Sequence, residues 1–185
     1  MTRSEFLTWL KGKHACKAGP TWVRATPGEP KKLWAVCPRG DWMLWLAWKA
    51  RVERRLLVRA ACACARGALV HVPASDKRPR RALEAAEAWA RGEVDLAAVR
   101  RAARAVFARS TRSGSAAFAA YAAHDAACVS FDAAYAVTIA YDAAAAVANT
   151  GVYGAAYAAS LAHSAELVRE LIPWATIEAA IRSTP

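Results

Sequence analysis

Residues 116–149, AAFAAYAAHDAACVSFDAAYAVTIAYDAAAAVAN, decide the fold class. Alanine is the best helix former, because it loses no side-chain entropy on entering a helix and leaves the backbone unobstructed. Neither glycine nor proline interrupts the stretch, so it reads as one long helix up to a joint at Asn149-Thr150-Gly151. A second alanine-rich helix runs back antiparallel from Val152 to Ile172, and Pro173 ends it. Small side chains let helix axes approach more closely than the usual ~8–10 Å. Tyr121, Phe131, Tyr135 and Tyr141 are expected to fill the gaps between them. HDAAC, FDAAY and YDAAA form a loose repeat that sets Asp125, Asp132 and Asp142 after ring residues, without a fixed period.

Outward from this tract the chain reads the same way. It holds 49 alanines in 185 residues, and 56% hydrophobic against 22% charged residues excludes a disordered chain. The expectation is an all-α, compact multi-helix bundle, with Trp-rich N-terminal helices packed on long Ala-rich antiparallel helices. Residues 1–185 read as a single all-α domain. Within it lie an irregular N-terminal helical segment (1–40), a basic helical half (41–112) and an Ala-rich acidic half (113–185).

The N-terminal segment opens with a short helix from Ser4 and is then broken by Gly19-Pro20, Pro27-Gly28 and Pro30. After Pro38-Arg39-Gly40, Asp41 is placed to cap a helix over Trp42–Lys49. Trp42, Trp45 and Trp48 span one side of it, Met43, Leu44 and Leu46 most of the rest, and a helix apolar all round is expected to be buried. The helix continues or re-forms over residues 52–72, with Val52, Leu56, Ala60, Ala63 and Cys64 on one side. Arg51, Arg55, Arg59 and Arg66 fall on another, as an outward basic stripe. In DKRPRRALEAAEAWARGE (76–93), Asp76 reads as a cap, Pro79 sits in the first turn, Glu87–Arg91 is an i,i+4 pair and Gly92 is the stop. Asp95 caps the following helix, with Val94 and Val99 in staple positions. That helix turns Val99, Val106 and Phe107 inward and Arg100, Arg101, Arg104 and Arg109 outward, and 111–115 is a turn.

Charge divides the chain. Residues 1–112 carry a balance of +15 and residues 113–185 one of −4, giving the net +11. A basic half attracts nucleic acid, anionic lipid or an acidic protein. The aspartates of the second half form an acidic band that can face the basic half or a basic partner. The five cysteines, Cys16, Cys37, Cys62, Cys64 and Cys128, follow neither disulfide nor zinc spacing and read as free thiols in a reducing cytoplasm. No signal peptide is expected. The uncharged run from Ala143 to Ala165 could span a bilayer by length, but it is mostly alanine with polar interruptions, so no membrane partner is expected.

Catalytic and cofactor patterns are weak. His14, His71, His124 and His163 lack metal-ligand spacing, and no nucleophile motif or phosphate loop is present, so neither an enzyme nor a cofactor site is expected. His124, beside Asp125, could meet His163 across the antiparallel pair. Glu84 and Glu87 share a face, which the surrounding arginines explain. The arginines of the two basic helices could straddle a nucleic-acid backbone, although no helix-turn-helix, zinc or RNP pattern accompanies them.

CPRGDWMLWLA (37–47), the Cys-Ala run at 62–65, DKRPRRALEAAEAWARGE (76–93), the alanine tract and RELIPWATIEAAI (169–181) together resemble the Imm5-like immunity proteins of bacterial polymorphic toxin systems. The resemblance covers the chain from about Ala15 onward. It implies an all-α intracellular protein without catalytic activity, which neutralises a cognate toxin by direct protein–protein binding. Since nuclease surfaces are typically basic and their inhibitors acidic, a +11 chain implies either a toxin of another kind or binding through the aspartate-rich half. Within the matching motifs the densest polar stretch is Asp76, Lys77, Arg78 and Arg80, with Glu84 and Glu87 behind, and these are the candidate contact residues. The alternative is a protein that binds nucleic acid or a small anionic ligand through Arg51, Arg55, Arg59 and Arg66. Alanine faces suit pairing within one chain and between chains equally, so the sequence leaves the oligomeric state open.

Overall fold

A computed structural model describes residues 1–107, 114–148 and 153–183. Among these residues the regular structure is helical: α1 (Arg3–Gly12), α2 (Ala18–Ala25), α3 (Pro30–Val36), α4 (Gly40–Lys49), α5 (Arg54–Arg66), α6 (Arg78–Arg91), α7 (Leu96–Phe107), α8 (Ser115–Cys128), α9 (Ala136–Ala148), α10 (Tyr153–Leu171) and α11 (Trp174–Ser183). Short 3₁₀ turns at Gly67–His71 and Ala133–Tyr135 complete the order. The expected all-α bundle is present, and no helix among the described residues is long and apolar enough to cross a membrane.

The centre is the α8–α9 pair. Ala119, Ala122, Ala123, Ala126 and Ala127 of α8, and Ala136, Ala140, Ala144 and Ala146 of α9, are buried, with Ile139 and Val129 wedged among them. Around this pair stand α4, α5, α7 and α10, with α6 against α5, α7 and α8. Such packing leaves little room for rings. Tyr141 is 50% exposed and Tyr135 37%, so these two rings lie at the surface, while Tyr121 and Phe131 are half-buried and Phe131 packs against the core as expected.

The tract read as one helix is two. After Cys128 the backbone turns through Val129–Asp132, and Asp132, extended at φ −142°, accepts the Ala134 N–H at 3.0 Å. An aspartate that caps offers the chain an alternative to continuing the helix. The expected joint at 149–151 lies outside the described residues, as does most of the turn expected at 111–115, while Ser115 already begins α8.

The chain between α4 and α5 breaks where continuity had been left open. Arg51 takes a left-handed φ of 61° and, with Val52, returns N–H bonds to Trp48 and Ala47, closing α4 in a Schellman motif. Glu53 then caps α5 through the N–H groups of Arg55 and Leu56. Gly92 ends α6 in the same motif at φ 84°, and Asp95 caps α7 through Ala98 N–H, both as expected. Val99, Val106, Arg100, Arg101 and Arg104 take their expected faces, but Val94 is 37% exposed; Arg109 and the Phe107 side chain are outside the described residues.

An aromatic layer made of α1–α4 and α11 lies on this bundle. α4 is seated on α9 and α10. At Gly40 a methyl group would meet Ser164 Cβ at 2.5 Å and the α10 backbone at 2.8–2.9 Å, so only glycine permits this approach. Arg169 of α10 reaches back to the Cys37 carbonyl at 2.8 Å. The Met1 amino group donates to Glu178 of α11 at 2.5 Å, and Trp174 Nε1 donates to the same carboxylate at 3.1 Å.

Candidate functional site

The start of α6 is built by its own sequence. Asp76 does not cap by the usual geometry. It grips Arg78 instead, with both carboxylate oxygens on the guanidinium at 2.5 and 2.7 Å and a further bond from the Arg78 N–H at 3.1 Å. The Arg78 guanidinium holds the Asp76 carboxyl below its ordinary range. Pro79 is buried in the first turn and fixes the entry, which leaves Lys77, Arg80 and Arg81 exposed on the rim. Glu84 is exposed one turn further along.

Glu87 does not pair with Arg91. It takes Arg66 from α5 in a forked bond of 2.5 and 3.2 Å, while Arg91 turns to Glu93 at 2.6 Å. The two candidate sets therefore meet, Arg66 from the basic stripe and Glu87 from the α6 motif. Arg55 lies over the Trp89 ring at 5.8 Å, so a second stripe arginine is also engaged by α6. Arg59 is exposed. Arg51 is not on the α5 stripe at all, because the Schellman turn that closes α4 removes it from that helix. Arg54 and Arg100, from α5 and α7, converge on Phe131: one donates to its carbonyl at 3.5 Å, the other lies over its ring at 5.3 Å.

Two further constellations come into view. On α8, Cys128 Sγ lies 3.5 Å from His124 Nε2, and His124 Nδ1 lies 2.8 Å from Asp125, whose second oxygen accepts from Thr138. The order is that of a nucleophile, base and acid. Yet Cys128 is 3% exposed and burial pushes its thiol up to about 12, so it is a protonated, inaccessible thiol at neutral pH. His163 pairs loosely with Glu166 at 3.5 Å on its own helix. Cys37, Cys62, Cys64 and Cys128 are buried free thiols and Cys16 is exposed, while no cluster suited to a metal ion occurs among the described residues.

The second constellation corrects an expectation. In α4 the buried side belongs to Met43, Leu44, Leu46 and Ala47, while Trp42, Trp45 and Trp48 remain partly exposed. Close contact with alanine helices takes the aliphatic side, while the three indoles are half-buried and pack against the edge of the same core. There Trp42 and Trp45, with Trp22, Trp34 and Trp174, line a cavity of about 430 Å³. For four of the five, Trp22, Trp34, Trp42 and Trp174, the sequence signal was a place shortly after a Gly/Pro break, in GPTW, EPKKLW, PRGDW and PW.

Residues 49–170 match the family described as Imm-5 like putative immunity protein. The chain belongs to this family. No curated protein and no solved structure shows significant similarity to it. The matched segment of this Imm-5-like protein contains α5 to α9 and nearly all of α10, hence the whole α6 motif and the Arg66–Glu87 bridge. It holds 41 of the 49 alanines, whereas seven of the eight tryptophans lie outside it. Most of the aromatic layer thus lies outside the matched residues.

Proposed function

We propose that this Imm-5-like protein neutralises a cognate toxin in the cytoplasm by binding it directly, without catalysis. Membership of an immunity-protein family carries the reading. The contact surface we assign is the start of α6, Asp76, Lys77, Arg78 and Arg80, with Glu84 and Glu87 behind it. The Asp76–Arg78 fork and the buried Pro79 hold this corner in one conformation. A preorganised charged corner loses little entropy on docking and steers an oppositely charged partner. Lys77 and Arg80 would meet acidic groups of the toxin.

The test is co-expression with the toxin encoded beside the gene. Growth should be rescued by the intact protein, and K77E with R80E should weaken the purified complex at least about tenfold while leaving thermal stability within about 0.5 kcal/mol. Failure of the intact protein to rescue would overturn the neutralising role. Unchanged affinity in the double variant would move the contact surface elsewhere.

A second reading rests on the convergence of Arg54 and Arg100 at Phe131, which joins the basic faces of α5 and α7. Such a face with Arg59 beside it suits a phosphate backbone. Binding of this kind falls steeply with salt, so absence of binding at low salt would remove it.

A further inference from the structure

The cavity of the aromatic layer, about 430 Å³, has the size of a small-molecule site, and its walls come from α1 to α4, α11 and the turn after α1. Those walls are rich in rings. Phe6 meets Trp174 edge-on at 5.9 Å, Trp34 is tilted against Trp174 at 6.3 Å, and Trp22 meets Trp42 at 6.1 Å. Arg39 and Asp41 also stand on the wall, but they grip each other in a forked pair at 2.6 and 2.8 Å and are neutral as a unit. His14 and Cys16, on the same wall, are exposed, so the cavity opens to solvent beside them.

Next to this opening, between α1 and α2, runs a groove lined by Lys11, His14, Lys17 and Arg24, with no carboxylate among its lining residues. All four basic side chains are exposed, and among the described residues none of them forms an ion pair with an Asp or Glu of this chain. A cleft lined by one sign of charge concentrates ions of the other sign. His14 and Ala15 line both the groove and the cavity. The backbone fixes them there. His14 takes a left-handed φ of 57°, uncommon for a residue with a side chain. Its N–H and that of Ala15 return to the Lys11 and Leu10 carbonyls at 3.1 and 3.0 Å, closing α1 in a Schellman motif. An imidazole thus stands where the apolar space meets the basic one.

We infer that cavity and groove form one binding site for a small organic anion with a flat aromatic body. The body seats among the indoles, whose faces and edges favour offset or edge-on ring partners. The acidic head lies at His14, toward Lys11, Lys17 and Arg24, where charge complementarity selects it. The site is separate from the toxin contact proposed at α6 and from the basic faces of α5 and α7. Every residue that lines it falls outside residues 49–170.

The probe is 2-naphthoate, and calorimetry on the full chain at low salt should show saturable binding. Its uncharged counterpart 2-naphthamide, of like shape, should bind about tenfold more weakly. Decanoate, with the same head on an alkyl chain, should also bind more weakly than 2-naphthoate. Lys11→Gln with Arg24→Gln, both at exposed positions, should weaken 2-naphthoate about fivefold and leave 2-naphthamide unchanged. Cys16 reports the location, because it is the exposed thiol on the cavity wall while Cys37, Cys62, Cys64 and Cys128 are buried. Its alkylation by iodoacetamide should slow in proportion to occupancy by 2-naphthoate. Absence of saturable binding, or binding that leaves Cys16 alkylation unslowed, overturns the site. Equal affinity for acid and amide, or an acid affinity unmoved by the double variant, overturns the seating of the head in the groove. Tighter binding of decanoate overturns the flat body. None of these results depends on a toxin, so failure here is separate from failure of the neutralising role.

Discussion

Where α8 meets α9 the contact is alanine on alanine; where α2 meets α4 and α3 meets α11 it is indole on indole. Both contacts bury apolar surface. Alanine faces bring backbones together and leave no side chain long enough to prop them apart, so their interior is continuous. Tryptophans hold short helices at a distance, brace one another by their edges, and enclose a space. The difference teaches that side-chain size here sets where the molecule is solid and where it is hollow.

The comparison can be broken most directly by adding bulk to each region. Ala144→Leu, at a fully buried site of α9, should cost about 3 kcal/mol in chemical denaturation, because a packed interior must shift to admit it. Ala15→Leu, on the cavity wall, should change stability by less than about 0.5 kcal/mol. Equal costs would erase the distinction. The seam between the regions comes next. Gly40→Ala places a methyl group against the α10 backbone and should cost about 2 kcal/mol by the same measurement.

Acidity sharpens the picture of the alanine region. Burial, and then the nearby Asp125 charge, raise the Asp142 carboxyl to about 7. A raised acid contributes stability that is complete below its ordinary value near 4 and is lost as pH rises through about 7. Asp142→Asn removes that loss, so its melting temperature should gain on the native chain between about pH 4 and pH 7 and level off above. A constant difference across that range would sink the assignment. Arg51→Gly relieves a left-handed residue at the end of α4 and should add about 0.5–1 kcal/mol. A small effect is expected at the Arg66–Glu87 bridge, partly exposed, whose double-mutant coupling should be about 0.5 kcal/mol.

The all-α class was legible because alanine content, Gly92, Asp95 and Pro173 act locally, through propensity, caps and breakers. The break at Val129–Asp132 was legible only in Asp132, whose capping role was masked by the surrounding alanines. Glu87 was assigned to Arg91 by helical spacing; its actual partner, Arg66, is 21 residues away and is brought near by the packing of α5 on α6. The half-buried setting of Trp42 and Trp45, at the edge of the core, was hidden for a related reason. An all-apolar helix has no polar face to orient it, so the shape of its neighbours decides which side goes in. For the α6 corner the sequence showed Asp76 and Pro79, while the grip of Asp76 on Arg78 needed coordinates.

The seating of α4 on α9 and α10 bears on how this protein can be cut. A fragment trimmed to residues 49–170 would keep the family segment but strip Leu44, Met43 and Ala47 from the helices they cover. The uncovered strip on α9 and α10 would be a sticky, water-averse surface, and such surfaces promote aggregation. The smallest piece expected to stay monodisperse at high concentration is therefore longer than the piece by which kinship is recognised.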